Sequence, residues 1–244
     1  MNPKTIKKQF EKSLETYNQN AVVQKVMAQI LVNEILKIST KFNNILELGC
    51  GAGLLTEQIS KNIKFDRFFA NDLVEKSEKY IKSIIPDAIF YCGDARKIKP
   101  SQKMDLIISN AMFQWFNSLE KALQLYKPML NNNGILAFTS FTPENYKEIK
   151  ALTGLALEYK TLEETKEIVN KDFEILHSES FEHTMHFKTP LELLAHMQNT
   201  GVNSLTAKHW TFKEVKDFCD KYREKYPQNT LTYAGMILIC KKAG

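Results

Sequence analysis

The sequence predicts an α/β fold, a mostly parallel sheet with helices on both faces. Three observations carry that expectation. Short apolar strands alternate with amphipathic helices between residues 44 and 141. A glycine-rich turn, Gly49-Cys50-Gly51-Ala52-Gly53, follows the first strand directly. The apolar run "TLTYAGMILICKK" then reads as a terminal strand.

The elements follow in order. Ile6, Phe10 and Leu14 recur at four-residue spacing and predict an amphipathic helix over 4–17. "YNQNA" breaks it. A more apolar helix reaches about residue 38, carrying Val22, Val23, Val26, Ile30, Leu31 and Ile35. Strands are expected at 44–48, 66–72, 88–92, 104–109 and 134–141, with helices at 53–61, 75–84 and 118–129. Beyond 142 the texture turns helical over 144–170 and 189–225, with one strand near 173–187. In a sheet of this kind a ligand binds at the carboxyl ends of the strands.

Composition narrows the function. Hydrophobic content of 43% and charged content of 25% suit an ordinary globular protein. No apolar run approaches the ~20 residues of a bilayer span, and the N-terminus lacks the apolar core of a signal peptide. A cytoplasmic protein without membrane contact is expected. Net charge is +5, from 30 lysines and only three arginines, Arg67, Arg96 and Arg223. Base readers lean on bidentate arginine, so no nucleic-acid partner is expected. The four scattered cysteines form no CxxC pair and read as reduced thiols. His183 and His186, three apart in a strand, point to opposite faces and make a poor zinc pair. No metal is expected.

The glycine turn departs from the dinucleotide pattern G-x-G-x-x-G, because Leu54 occupies the third glycine's place. Glu47 lies two residues before the first glycine, where a pyrophosphate is disfavoured and a ligand with an amino group and a sulfonium is not. Asp72 ends the second strand about 20 residues past the turn, where an acid accepts ribose hydroxyls. Asp94 ends the third. Each aspartate alone is compatible with a helix cap or a turn. Together with the turn, the three acids favour S-adenosylmethionine over NAD.

"ELGCGAG", "NDL", "GDA" and "SNAMFQW" together resemble the class I S-adenosylmethionine-dependent methyltransferases, over about residues 43–141. The resemblance implies a Rossmann-like sheet of seven strands, the last antiparallel, with helical N-terminal and C-terminal lid elements. It implies cofactor contacts from Glu47, Gly49, Cys50, Gly51, Gly53, Asp72, Leu73, Asp94, Ala95 and Asn110. The flanks "FEKSLETYNQNAVVQ", "LELLAHMQNTGVNSL" and "LTYAGMILI" extend the likeness to nearly the whole chain. With them the sequence is similar to the malonyl-acyl carrier protein O-methyltransferases of biotin synthesis. That implies methylation of the free malonyl carboxylate on the phosphopantetheine arm of acyl carrier protein, or on malonyl-CoA, by a monomeric enzyme. One domain over 1–244 is expected: an N-terminal helical cover (1–38), a cofactor-binding core (43–142), lid helices with one strand (143–228) and a terminal strand (229–242).

An ionised carboxylate is already the nucleophile, so no general base is expected. Tyr17 is the first candidate to hold it, with Gln114 and Asn203 as polar lining and Lys147 or Lys208 as cationic partner. His209 beside Lys208, and His196, are further candidates. Thr200, Gly201 and Asn203 are placed along a channel for the arm. Of Phe113, Trp115 and Phe116, at least one belongs to the core. Lys4, Lys7, Lys8 and Lys25 are expected to steer an acidic carrier. Competing readings are methylation of another small acid such as trans-aconitate, C-methylation of a quinone precursor, and a non-catalytic cofactor-binding module.

Overall fold

The computed structural model describes Lys7, Phe10, Glu11, Leu14, Tyr17, Asn20 and residues 21–155, 157–200 and 210–243. The strands are β1 (Lys41–Leu48), β2 (Lys64–Asp72), β3 (Ile89–Cys92), β4 (Met104–Ser109), β5 (Leu130–Phe141), β6 (Phe173–His186) and β7 (Thr230–Lys242). They form one sheet in the order β3-β2-β1-β4-β5-β7-β6. All pairs among β1 to β5 are parallel, while β7 runs antiparallel to both β5 and β6. The described helices are α1 (Val22–Leu36), α2 (Leu54–Asn62), α3 (Ser77–Ile84), α4 (Leu119–Tyr126), α5 (Lys147–Thr153), α6 (Leu162–Val169), α7 (Pro190–Asn199) and α8 (Phe212–Lys225).

The sheet is buried on both faces, so its central strands are almost continuously apolar. Ile45 of β1 faces α1 and α2, packing with Leu31, Ile35, Leu55 and Ile59. Its neighbours Leu46 and Leu48 face the other way, toward Leu123 and Tyr126 of α4. This alternation puts Glu47 on the side of α2. The strand order reverses between β1 and β4, which opens a crevice at their carboxyl ends.

A third apolar cluster lies beyond that crevice. Met27, Phe141, Tyr146, Leu193, Phe218, Tyr222 and Tyr233 join α1, α5, α7 and α8 to the ends of β5 and β7. Buried Glu148 ties α5 to β7, accepting from the Thr232 hydroxyl at 2.5 Å and its backbone N–H at 3.0 Å. The described N-terminal residues are helical, and Phe10, Leu14 and Tyr17 pack with Ala52 and Val74 over the glycine turn.

Local chemistry sets several boundaries that periodicity misplaced. The helix expected through 129 stops at Tyr126, because Pro128 follows, and continues as a 3-10 turn over Lys127–Met129. β5 starts at Leu130, not 134, so Asn131 to Asn133 lie in the strand, with Asn133 at φ 63°. The stretch expected as helix over 144–170 is broken after α5 by Gly154 at φ +68°. It resumes at α6 behind a capping box of Thr161 and Glu164. The same box, from Thr211 and Glu214, starts α8.

Candidate active site

Two adjoining cavities occupy the crevice. The larger, about 1130 Å³ counted to its open mouth, lies over the ends of β1, β2 and β3. Its lining includes Glu47, Gly49, Cys50, Gly51, Asp72, Leu73, Asp94, Ala95 and Asn110. Gly53 is not among its lining residues. It stands behind the turn at φ +84°, where an added Cβ would lie 2.6 Å from Ile84 Cδ1, so it serves helix packing. Gly51, at φ +52°, is the opposite case, since a Cβ there would meet nothing within 4 Å. Its backbone is open to close approach by a ligand.

The turn is held from β2. The amides of Gly49 and Cys50 donate to the Asn71 carbonyl at 2.8 and 3.0 Å. Asp72 accepts from the N–H groups of Gly51 and Val74, each at 2.8 Å, and scarce surrounding water pushes its pKa up. Glu47 is 1% exposed and accepts from the Thr56 hydroxyl at 2.6 Å. Burial pushes its pKa up to about 8; the Asp72 charge adds to the rise and the Thr56 bond works against it. Burial therefore favours the protonated form of Glu47 in the ligand-free site. Asp94 is engaged by Arg96, whose guanidinium Nη2 lies 2.5 Å from Oδ2 and holds its carboxyl below the usual range. Burial raises the Cys50 thiol well above its ordinary value, so it is no nucleophile.

The second cavity, about 350 Å³, is lined by Phe10, Tyr17, Gln24, Ala111, Gln114, Trp115, Phe141, Asn145, Tyr146, Leu157, Tyr159 and Thr200. None of these side chains is charged. Phe10, Tyr17, Ala111 and Trp115 line both cavities and form the wall between them. Ala111, directly after Asn110 at the end of β4, adopts φ 52°. Its N–H donates to Thr139 Oγ1 at 2.9 Å, and Thr139 in turn donates to Asn110 Oδ1 at 2.7 Å. The Asn110 amide reaches the Gln24 carbonyl at 2.8 Å, fixing α1 to the strand end. Asn110 thus lines the larger cavity while its side chain braces the wall.

Tyr17 and Gln114 both line the second cavity. Lys147 does not. It lies on the surface, paired with Glu182 at 2.9 Å, with half of its side chain exposed. It lines neither cavity. Asn203, Lys208, His209 and Gly201 lie outside the described residues, as do Lys4 and Lys8. His196 lies behind the cavity, 2.7 Å from the Tyr233 hydroxyl, and burial lowers its pKa. Phe113 is core, while Trp115 and Phe116 line the larger cavity. Sequence reasoning missed Gln24, Asn145, Tyr146 and Tyr159. The one available signal was the aromatic and amide content of "FTPENY" after β5. No cluster able to hold a metal ion occurs among the described residues. None of the described helices is long and apolar enough to cross a membrane.

Residues 46–138 match a family model described as a methyltransferase domain. Solved structures share the fold at low identity. A structure from Bacillus halodurans has a TM-score of 0.64 at 13% identity, covering 87% of this chain and 99% of its own. The N-methyltransferase NodS of Bradyrhizobium japonicum, in complex with S-adenosylhomocysteine, has a TM-score of 0.61 at 11% identity, covering 98% and 100%. Closer in sequence is the malonyl-[acyl-carrier protein] O-methyltransferase of Calditerrivibrio nitroreducens, 36% identical over 98% of this chain and 96% of its own. That of Haemophilus influenzae is 32% identical over 97% and 93%. Likeness of this degree along nearly the full length, on a sheet with this crevice, places the chain in the malonyl-[acyl-carrier protein] O-methyltransferase family.

Proposed function

We propose that the chain methylates the free carboxylate of malonyl-acyl carrier protein, giving the methyl ester that primes pimeloyl synthesis for biotin. The observation that carries this reading is the pair of cavities behind one wall: an acid-lined chamber open at Gly51, and a chamber lined only by uncharged side chains. In this reading the whole chain is one methyltransferase domain, with the N-terminal residues and α5 to α8 as its cover.

The acid-lined chamber fits S-adenosylmethionine. Glu47 faces its ammonium group, Asp72 its ribose hydroxyls and Asp94 its adenine, with Gly49, Cys50, Gly51, Leu73 and Ala95 in contact and Asn110 bracing the wall. When bound, this cofactor supplies an electrophilic methyl group on a positively charged sulfur. The chain's own task is to place a carboxylate in line with it, about 3–3.5 Å away. Tyr17, on the wall, donates its hydroxyl to that carboxylate. Burial raises the Tyr17 pKa, so the hydroxyl keeps its proton and acts as a donor. The aromatic wall of Phe10 and Trp115 excludes water and leaves the carboxylate poorly hydrated. With a malonyl carboxyl pKa near ~4, no residue needs to remove a proton. Uncharged donors orient the anion without quenching its nucleophilicity. Lys7 lines the cleft, and Lys25 is exposed on α1; both are placed to steer an acidic carrier in a salt-dependent encounter.

The test is a direct assay of the purified protein with S-adenosylmethionine and, separately, malonyl-carrier protein, malonyl-CoA and trans-aconitate. Methyl ester on the malonyl thioesters, fastest on the carrier and slowed by salt, is the expected result. Ester on trans-aconitate alone would transfer the function to small free acids.

A further inference from the structure

The second cavity carries a hydrogen-bonding pattern that carboxylate binding leaves unused. Gln114 Nε2 donates to the Ala111 carbonyl at 2.5 Å. A carbonyl only accepts, so the end of Gln114 that touches it must be the nitrogen. Oε1 is thereby fixed as an acceptor, and it is buried with no partner. Gln24, 3% exposed on α1 and lining the same cavity, also has a buried Oε1 without a partner. Nothing locks its amide, so Gln24 can turn either end to a ligand, and Gln114 cannot.

On the opposite wall Asn145 Oδ1 accepts from the Ala234 N–H at 3.1 Å, and Tyr159 lines the same cavity. A phenol hydroxyl can donate to an acceptor. The cavity therefore displays a group able to donate, the Tyr159 hydroxyl, and a committed acceptor, Gln114 Oε1.

A carboxylate and a thioester carbonyl offer only acceptors. They satisfy the hydroxyls of Tyr17 and Tyr159 but leave Gln114 Oε1 buried and unmatched, which is costly. Resting on the carboxyl methylation proposed above, we infer that Gln114 is a specificity-determining residue: its Oε1 accepts a hydrogen bond from an amide N–H on the acceptor's thioester arm. The chamber then selects acyl groups on amide-bearing arms against small free acids, which bring no donor.

The experiment compares two malonyl thioesters. One carries N-acetylcysteamine. The other carries the same thiol with CH₂ in place of the N–H, so shape and carbonyl are kept and only the donor is lost. For the wild type, kcat/KM on the CH₂ thioester should fall about 10- to 100-fold. Its Kd for protein saturated with S-adenosylhomocysteine, measured by calorimetry, should weaken in parallel. Gln114→Met should treat both thioesters alike, at the level of the wild type on the CH₂ compound, with S-adenosylhomocysteine binding retained as proof of folding. Equal handling of both thioesters by the wild type overturns the inference and leaves the proposed function standing. A preference that persists in Gln114→Met overturns the assignment to Gln114; should that variant not fold, the wild-type ratio and Kd pair still decide whether a donor is read. Failure to esterify either thioester, or malonyl-carrier protein, overturns the proposed function itself.

Discussion

Glu47→Gln changes one atom in the floor of the larger cavity and has two opposite consequences. A carboxyl raised from 4.5 to about 8 by burial is protonated in the folded, ligand-free chain over a range where the unfolded chain has already ionised. The sign follows: the folded state binds more protons, so its stability is fully present below about pH 4.5 and is lost as pH rises toward about 8. The full shift corresponds to at most about 5 kcal/mol. Glutamine mimics the protonated acid and keeps the Thr56 hydroxyl bonded, so the variant loses this dependence. Urea unfolding of both ligand-free proteins at intervals from pH 5 to 9 reads the difference. The wild type should lose several kcal/mol relative to Glu47→Gln, and the variant should be the more stable protein at pH 8. Asp72 is present in both proteins, so its own titration largely cancels. The cofactor's ammonium, by contrast, needs the carboxylate, and Glu47→Gln should bind S-adenosylhomocysteine about 10- to 100-fold more weakly, the worth of a charge-assisted hydrogen bond. Parallel pH–stability curves for the two proteins would refute the buried-acid reasoning.

Other changes separate the roles of neighbouring residues. Tyr17→Phe should lower kcat/KM for malonyl thioester about 10- to 100-fold in steady-state assays, with S-adenosylhomocysteine affinity nearly unchanged. Gly53→Ala forces a Cβ onto Ile84 at φ +84°, and chemical denaturation should show a loss of about 2–4 kcal/mol. Gly51→Ala meets no neighbour, so it should cost only the ~1–2 kcal/mol of its left-handed backbone while weakening cofactor binding, read by calorimetry. Lys147→Ala removes an exposed ion pair with Glu182; activity should stay within about twofold and stability within ~0.5 kcal/mol.

The fold was legible because its signals are local. β1 ends in the glycine turn, β2 and β3 end in Asp72 and Asp94, and the apolar pattern of each element can be read within a few residues. The larger cavity follows from the same signals, since a parallel sheet brings those strand ends together without further information. Gly53 marks the limit of such local signals: a glycine needed for φ +84° and for contact with Ile84 looks the same in sequence as one that meets a ligand. The second cavity was not legible. Gln24, Gln114, Asn145, Tyr159 and Thr200 come from separate parts of the chain and share no spacing. Ala111 and Tyr146 take positive φ without being glycine, so nothing in the sequence marks the turns they make. Lys147 misled because in a chain with 30 lysines a cation near a strand end says little about where its charge points.

Crystals grown with S-adenosylhomocysteine and the malonyl thioester of N-acetylcysteamine test the division of labour between the cavities most directly. The nucleoside should lie against Asp72 with its amino acid end at Glu47, and the malonyl carboxylate should meet the Tyr17 hydroxyl with the arm's N–H on Gln114 Oε1. A nucleoside bound away from Glu47 and Asp72, or a malonyl group outside the chamber of Gln24 and Tyr159, would contradict the account.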